Sequence, residues 1–104
     1  ESSAVVGERV RKARELQQLR YKAEGIHCNA QLDARLSRKY CTMTQEASAV
    51  LHMAVERMGM SMRAYGRVIK VARTIADLAG AEVIGMEHVA EAIQYRELDG
   101  KYWQ

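Results

Sequence analysis

At 104 residues the chain has the size of one domain, able to bury a modest core and too short for a second. A net charge of +3, no proline, no Phe and much Ala, Met, Val and Leu favour helices over strands and permit a nucleic-acid partner without demanding one. Two cysteines, Cys28 and Cys41, make no disulfide framework, and no apolar run approaches the roughly 20 residues that span a bilayer. The expectation is a cytoplasmic domain with reduced thiols and no membrane partner. Its start, Glu1-Ser2-Ser3-Ala4, is polar and lacks both an initiating Met and a signal peptide, which reads as a piece of a longer protein.

From about Ser3 to Ala23, the residues Val6, Val10, Ala13, Leu16, Leu19 and Ala23 recur at steps of three and four. That spacing predicts a helix with this row turned inward. Its other positions are densely charged, with Arg9, Arg11, Lys12, Arg14, Arg20 and Lys22 against Glu8 and Glu15. Gly25 is the expected stop, followed by a loop through His27-Cys28-Asn29. A short helix should follow, with Leu32 and Leu36 inward and Arg35, Arg38 and Lys39 outward.

Thr44 can cap a third helix whose stripe is Ala47, Val50, Leu51, Ala54, Val55 and Met58. Gly59 sits where a left-handed C-terminal cap is wanted, and Met60 supplies the hydrophobic contact that accompanies it. Ser61 caps the next helix at once, so two long helices meet at a tight corner. That fourth helix, Met62 to about Ala79 with Gly80 as its end, is apolar over more than half its circumference and should be central. Arg63, Arg67, Lys70, Thr74 and Asp77 remain as one narrow polar stripe, with Arg73 beside it. Gly66 inside it costs about 1 kcal/mol against Ala, and either admits a close approach to the backbone or is merely tolerated. Glu82-Val83-Ile84-Gly85 is a connector to a fifth helix, Met86 to about Arg96, with Val89, Ala90 and Ile93 inward. The tail from Leu98, including Tyr102-Trp103, shows no periodicity. The fold class is an all-α bundle of about five helices around a long central one.

No G-x-x-x-x-G-K-[ST] is present and no apolar run ends in paired acids, so the chain cannot be a complete P-loop ATPase. His27, Cys28, Cys41 and His52 lack the paired spacing of zinc ligands, and nothing ties Cys28 or Cys41 to His52 or His88 as a nucleophile with its base. No catalytic residue and no metal site is assigned. The basic stripe remains, with three readings. It could solvate the edge of a buried helix. It could meet DNA phosphates, helped by the basic first helix. Or Arg63 could meet a nucleotide phosphate, because guanidinium stays charged and donates two parallel hydrogen bonds. A helix start prefers acids, and a cation there costs on the order of 0.3–1 kcal/mol, but only Arg63 stands in the first turn.

The run Ser61-Met62-Arg63-Ala64-Tyr65-Gly66-Arg67-Val68-Ile69-Lys70-Val71-Ala72-Arg73-Thr74-Ile75-Ala76-Asp77-Leu78-Ala79-Gly80 resembles the signature of the magnesium-chelatase-like AAA+ ATPases. So does His88-Val89-Ala90-Glu91-Ala92-Ile93-Gln94-Tyr95-Arg96. The opening Ser2-Ser3-Ala4-Val5-Val6, with Arg9-Val10 and Ala13-Arg14, fits the segment just after the family's ATPase core, and Asn29 and Leu32 fit the connector. The resemblance is strongest to the bacterial competence branch and covers nearly the whole chain.

This resemblance implies that the chain is the C-terminal helical lid of an AAA+ module. It places the family's sensor 2 residue at Arg63, with Arg67 as a weaker second candidate for the same ATP phosphates. Gly66 stands where the family usually carries a larger polar residue. ATP and Mg would belong to the full-length protein and neither to the isolated domain, whose Walker motifs, sensor 1 and arginine finger would lie upstream. The implied partners are that upstream AAA+ core, neighbouring subunits of a hexameric ring, and DNA handled by branch migration. Porphyrin metallation does not follow. The rival expectation is a stand-alone basic helical module, histone-fold-like, that binds DNA or protein.

Overall fold

The computed structural model describes residues 3–103, with side chains as far as residue 95. Five α-helices follow one another: α1 (Ser3–Arg20), α2 (Ala34–Tyr40), α3 (Gln45–Met58), α4 (Met62–Leu78) and α5 (Met86–Trp103). Two 3-10 turns, Lys22–Glu24 and Asn29–Gln31, join α1 to α2. The all-α class is as expected. Helix α4 is the hub, packed against α5, α1 and α2, and α5 also packs against α3.

Helix boundaries follow capping chemistry closely. Asp33 accepts the Leu36 N–H at 2.8 Å, Thr44 accepts that of Ala47 at 3.1 Å, and Ser61 accepts that of Ala64 at 3.1 Å. Each satisfies one N–H that the first helical turn leaves without a backbone partner. At the end of α3, Gly59 is left-handed with φ 59°, and the Met60 N–H returns to the Val55 carbonyl at 3.3 Å. Helix α5 begins differently. The His88 imidazole accepts the Gly85 N–H through Nδ1 at 2.8 Å, the task a Glu or Gln has in a capping box.

The connector is pinned rather than loose. Ile84 is fully buried, and its N–H and C=O pair with the Thr42 carbonyl (2.9 Å) and the Thr44 N–H (3.0 Å). This parallel bridge between Met43 and Ile84 is the only strand-like pairing among the described residues. Around it lies a core of Tyr21, Leu32, Leu36, Leu51, Val68, Ala72, Ala76, Val89 and Ala92, all buried.

Three expectations are corrected. Helix α1 ends at Arg20, where Tyr21 turns into the core, and Val6, Val10, Leu16 and Leu19 stay exposed although their period is helical. Only Ala13 and Gln17 of α1 are buried, because the helix leans on α4 along a narrow seam. Asp77 and Arg73, read as part of or beside an exposed stripe, are buried at 4 % and 1 % exposure. Finally, α5 runs on to Trp103 instead of giving way to an irregular tail. The side chains of Tyr102 and Trp103 lie outside the described residues.

Candidate functional site

The polar stripe of α4 divides into two parts with different chemistry. Its C-terminal part is structural. Arg20 donates to both oxygens of Asp77, at 2.6 and 3.0 Å, and Arg73 approaches the same carboxylate at 3.1 Å. Asn29 donates from Nδ2 to Thr74 Oγ1 and to Asp77, each at 3.0 Å, while its Oδ1 accepts the Tyr21 hydroxyl at 2.5 Å. The Asn29 backbone N–H is taken up by Gln17 at 3.0 Å. Burial works against the Arg20 charge, but the hydrogen bonds to Asp77 and Tyr21 and the carboxylate's own charge outweigh it and raise its pKa. Burial likewise pushes the Tyr21 hydroxyl up against the pull of Arg20, which keeps it a donor.

Arg73 spends its remaining donors on carbonyls that no helix satisfies: Ala81 at 2.8 Å, Glu82 at 2.9 Å and Tyr40 at 3.3 Å. Its Nε is the one buried side-chain polar atom without a partner among the described residues. Both arginines therefore clamp the chain, α1 to α4 and α4 to the connector. Neither is available to a ligand.

The N-terminal part is open. Arg63 and Arg67 are exposed one turn apart, and Lys70 is half-buried a turn further on. They form one wall of a groove of about 810 Å³ whose other wall is α2. Arg38 of α2 reaches into it, so four cations line the groove. The single carboxylate there, Asp33, is committed to capping α2. Leu32, Met43, Ile69 and Cys41 contribute apolar or uncharged surface. Burial pushes the Cys41 thiol up to about 11, against the pull of Arg73 and Arg20, so at neutral pH it adds no negative charge and is no nucleophile.

Arg63 and Arg67 thus share one cleft. The sequence reading missed Arg38 as a member of it. Arg38 is one of several outward cations on a short helix, and only the packing of α2 across the start of α4 brings it there. Gly66 lines the groove, and a Cβ built on it would meet nothing within 4 Å, so no close approach inside this chain requires the glycine. Arg67 and Lys70 also border a second groove of about 510 Å³ on the other flank of α4, whose remaining lining, with Val71, Ile75, Leu78 and Tyr95, is mainly apolar. No group of three His, Cys, Asp or Glu side chains among the described residues could hold a metal ion. No helix of the described residues is long and apolar enough to cross a membrane.

Comparison with known proteins identifies the family of the chain. The chain is 41 % identical over 99 residues to an uncharacterized protein, YifB, of Salmonella typhimurium, and 40 % identical over 98 residues to the competence protein ComM of Haemophilus influenzae. An uncharacterized protein of Mycobacterium bovis is 34 % identical over 97 residues. These alignments cover 93–95 % of the chain but only 18–19 % of each relative, so the chain spans about a fifth of their length. No solved structure matches it. The family model described as "Magnesium chelatase, subunit ChlI C-terminal" matches residues 1–96. With nearly its whole length matched by that model, the chain belongs to the magnesium chelatase C-terminal family.

Proposed function

We propose that this domain is the lid of a magnesium-chelatase-like AAA+ ATPase, and that Arg63 contacts the terminal phosphates of ATP held by a core domain of the same protein. The observation that carries the reading is the position of Arg63. It stands in the first turn of α4, its side chain exposed and without a hydrogen bond or ion pair among the described residues, at a groove lined by four cations. Phosphoryl transfer needs little covalent help and much charge stabilisation, which a guanidinium supplies. The groove's donors suit phosphate oxygens and repel a metal ion. A magnesium ion accompanying the nucleotide would therefore rest on residues outside this chain.

Mechanically, the clamp between Arg20 and Asp77 ties α4 to α1, so a pull on Arg63 moves the two helices as one body. The lid would in this way convert nucleotide state into domain angle. For the whole protein the proposal extends to a ring of subunits acting on DNA in the cytoplasm. Support for that extension is the family resemblance together with the relative named a competence protein.

Arg63→Ala in the full-length parent tests the reading. We expect ATP turnover to fall on the order of 10²-fold, as when one pre-positioned donor is removed from a transition state, with the melting of this domain unchanged. Unaltered hydrolysis would remove Arg63 from the site.

A further inference from the structure

We propose that Arg38 of α2 and Lys70 of α4 act together with Arg63 as ligands for a chain of phosphates, so that the groove prefers a polyphosphate tail to a single phosphate. The inference deepens the lid reading and rests on it for the source of that tail, a nucleoside triphosphate.

Charge bookkeeping within the fold comes first. Several cations outside the groove are answered by carboxylates: Arg11 by Glu8 and Glu15, Lys39 and Arg35 by Glu24, Arg20 and Arg73 by Asp77. In the groove the side chains of Arg38, Arg63 and Lys70 make no hydrogen bond or salt bridge among the described residues, and one oxygen of Asp33, the single carboxylate there, caps α2. Like charges three and four residues apart on a helix repel, and here no acid is interleaved to relieve them. A bound anion would.

Geometry then selects the kind of anion. Along α4 the cations are spread over about 10 Å of helix axis, from Arg63 to Lys70. Arg38 faces them from the opposite wall. A single phosphate cannot meet all of them, whereas a short phosphate chain lying in the cleft can. The floor, with Leu32, Met43, Ile69 and the neutral Cys41 thiol, carries no charge of its own. A concave site with low-dielectric walls concentrates the field of its cations on whatever occupies it. A nucleic-acid backbone carries the same chemistry, but it needs a path that continues beyond the cleft. The short, two-walled groove favours the free tail.

Calorimetric titration of the 104-residue chain with inorganic triphosphate and with orthophosphate, at matched ionic strength, tests this. Triphosphate should bind at least about tenfold more tightly, and Arg38→Ala and Lys70→Gln should each weaken it about fivefold. Arg57→Ala, at an exposed position of α3 outside the groove, should leave it unchanged. Equal affinity for the two anions, or triphosphate binding indifferent to Arg38 and Lys70, overturns the proposal. So does a single-stranded oligonucleotide that displaces triphosphate at far lower concentration through the same residues. Arg38 is exposed, so Arg38→Ala should melt with the wild-type chain, which keeps a folding defect apart from a binding one.

The two readings fail separately. If Arg63→Ala lowers turnover of the full-length protein while Arg38→Ala and Lys70→Gln alter neither turnover nor triphosphate affinity, this inference falls and the lid stands. If Arg38 and Lys70 govern triphosphate affinity but Arg63→Ala leaves turnover intact, the lid reading falls instead.

Discussion

Gly66 and Cys41 sit in the same groove and make opposite kinds of prediction. Gly66 is helical, and nothing stands within 4 Å of the position a Cβ would take. Gly66→Ala should therefore stabilise the domain by about 1 kcal/mol, raising its melting temperature by about 5 °C. A melting temperature that falls would mean the glycine is needed by the fold itself. The Cys41 thiol behaves differently because burial raises its pKa from 9.0 to about 11. Between these values the unfolded chain releases the proton while the folded chain keeps it. Stability is thus fully present below about pH 9 and declines as pH rises through 11, by about 3 kcal/mol in all. Cys41→Ala should flatten that alkaline limb in chemical denaturation measured at pH 8 and pH 11. An unchanged slope would show that the thiol is not desolvated in solution. Arg63 is the residue on which the functional reading turns, and it is also the one whose local electrostatics are least diagnostic. One cation in a first turn costs too little to demand an explanation.

Among the elements, the pair α1 and α4 shows where a one-dimensional pattern stops being informative. The third helix, its Thr44 cap, its Gly59 stop and the Ser61 start of α4 were all legible, because caps and apolar periods are local. The same method reads Val6, Val10, Leu16 and Leu19 as an inward row, yet they are exposed. Periodicity reports that a face is apolar, not that this chain contains something to cover it. It also assigns Asp77 to solvent. A buried carboxylate with two arginines is indistinguishable from a surface one until Arg20, 57 residues away in sequence, is known to face it. The network makes its own prediction. Because Asp77 is buried and Arg20 only partly exposed, with side chains 0 % and 14 % exposed, an Arg20→Ala/Asp77→Asn cycle should return a coupling of about 1–3 kcal/mol by denaturant unfolding. The exposed Arg11–Glu15 pair of α1 should show no measurable coupling in the same assay. Equal couplings in the two cycles would mean the clamp does not hold α1 to α4.

At the level of the whole molecule, the all-α class was readable from helical periods and caps along the chain and the family from the block Arg63 to Leu78, and the helices and the match to residues 1–96 bear both out. The groove was readable only in part. Arg63 and Arg67 are on one helix and announce each other by spacing, whereas Arg38 enters from α2 through tertiary packing that no local pattern encodes. The structure adds a division of labour along α4. One end is locked by Arg20, Asp77, Asn29 and Arg73, and the other presents cations to a cleft. A rigid end and a receptive end on one helix are what a lid needs if phosphate contact is to become domain motion. The most direct test is a structure of the full-length protein with a non-hydrolysable ATP analogue. The account predicts the Arg63 guanidinium within hydrogen-bond distance, about 2.8 Å, of a terminal phosphate oxygen. An Arg63 that faces solvent in that complex, with the terminal phosphates contacted only from elsewhere, would contradict it.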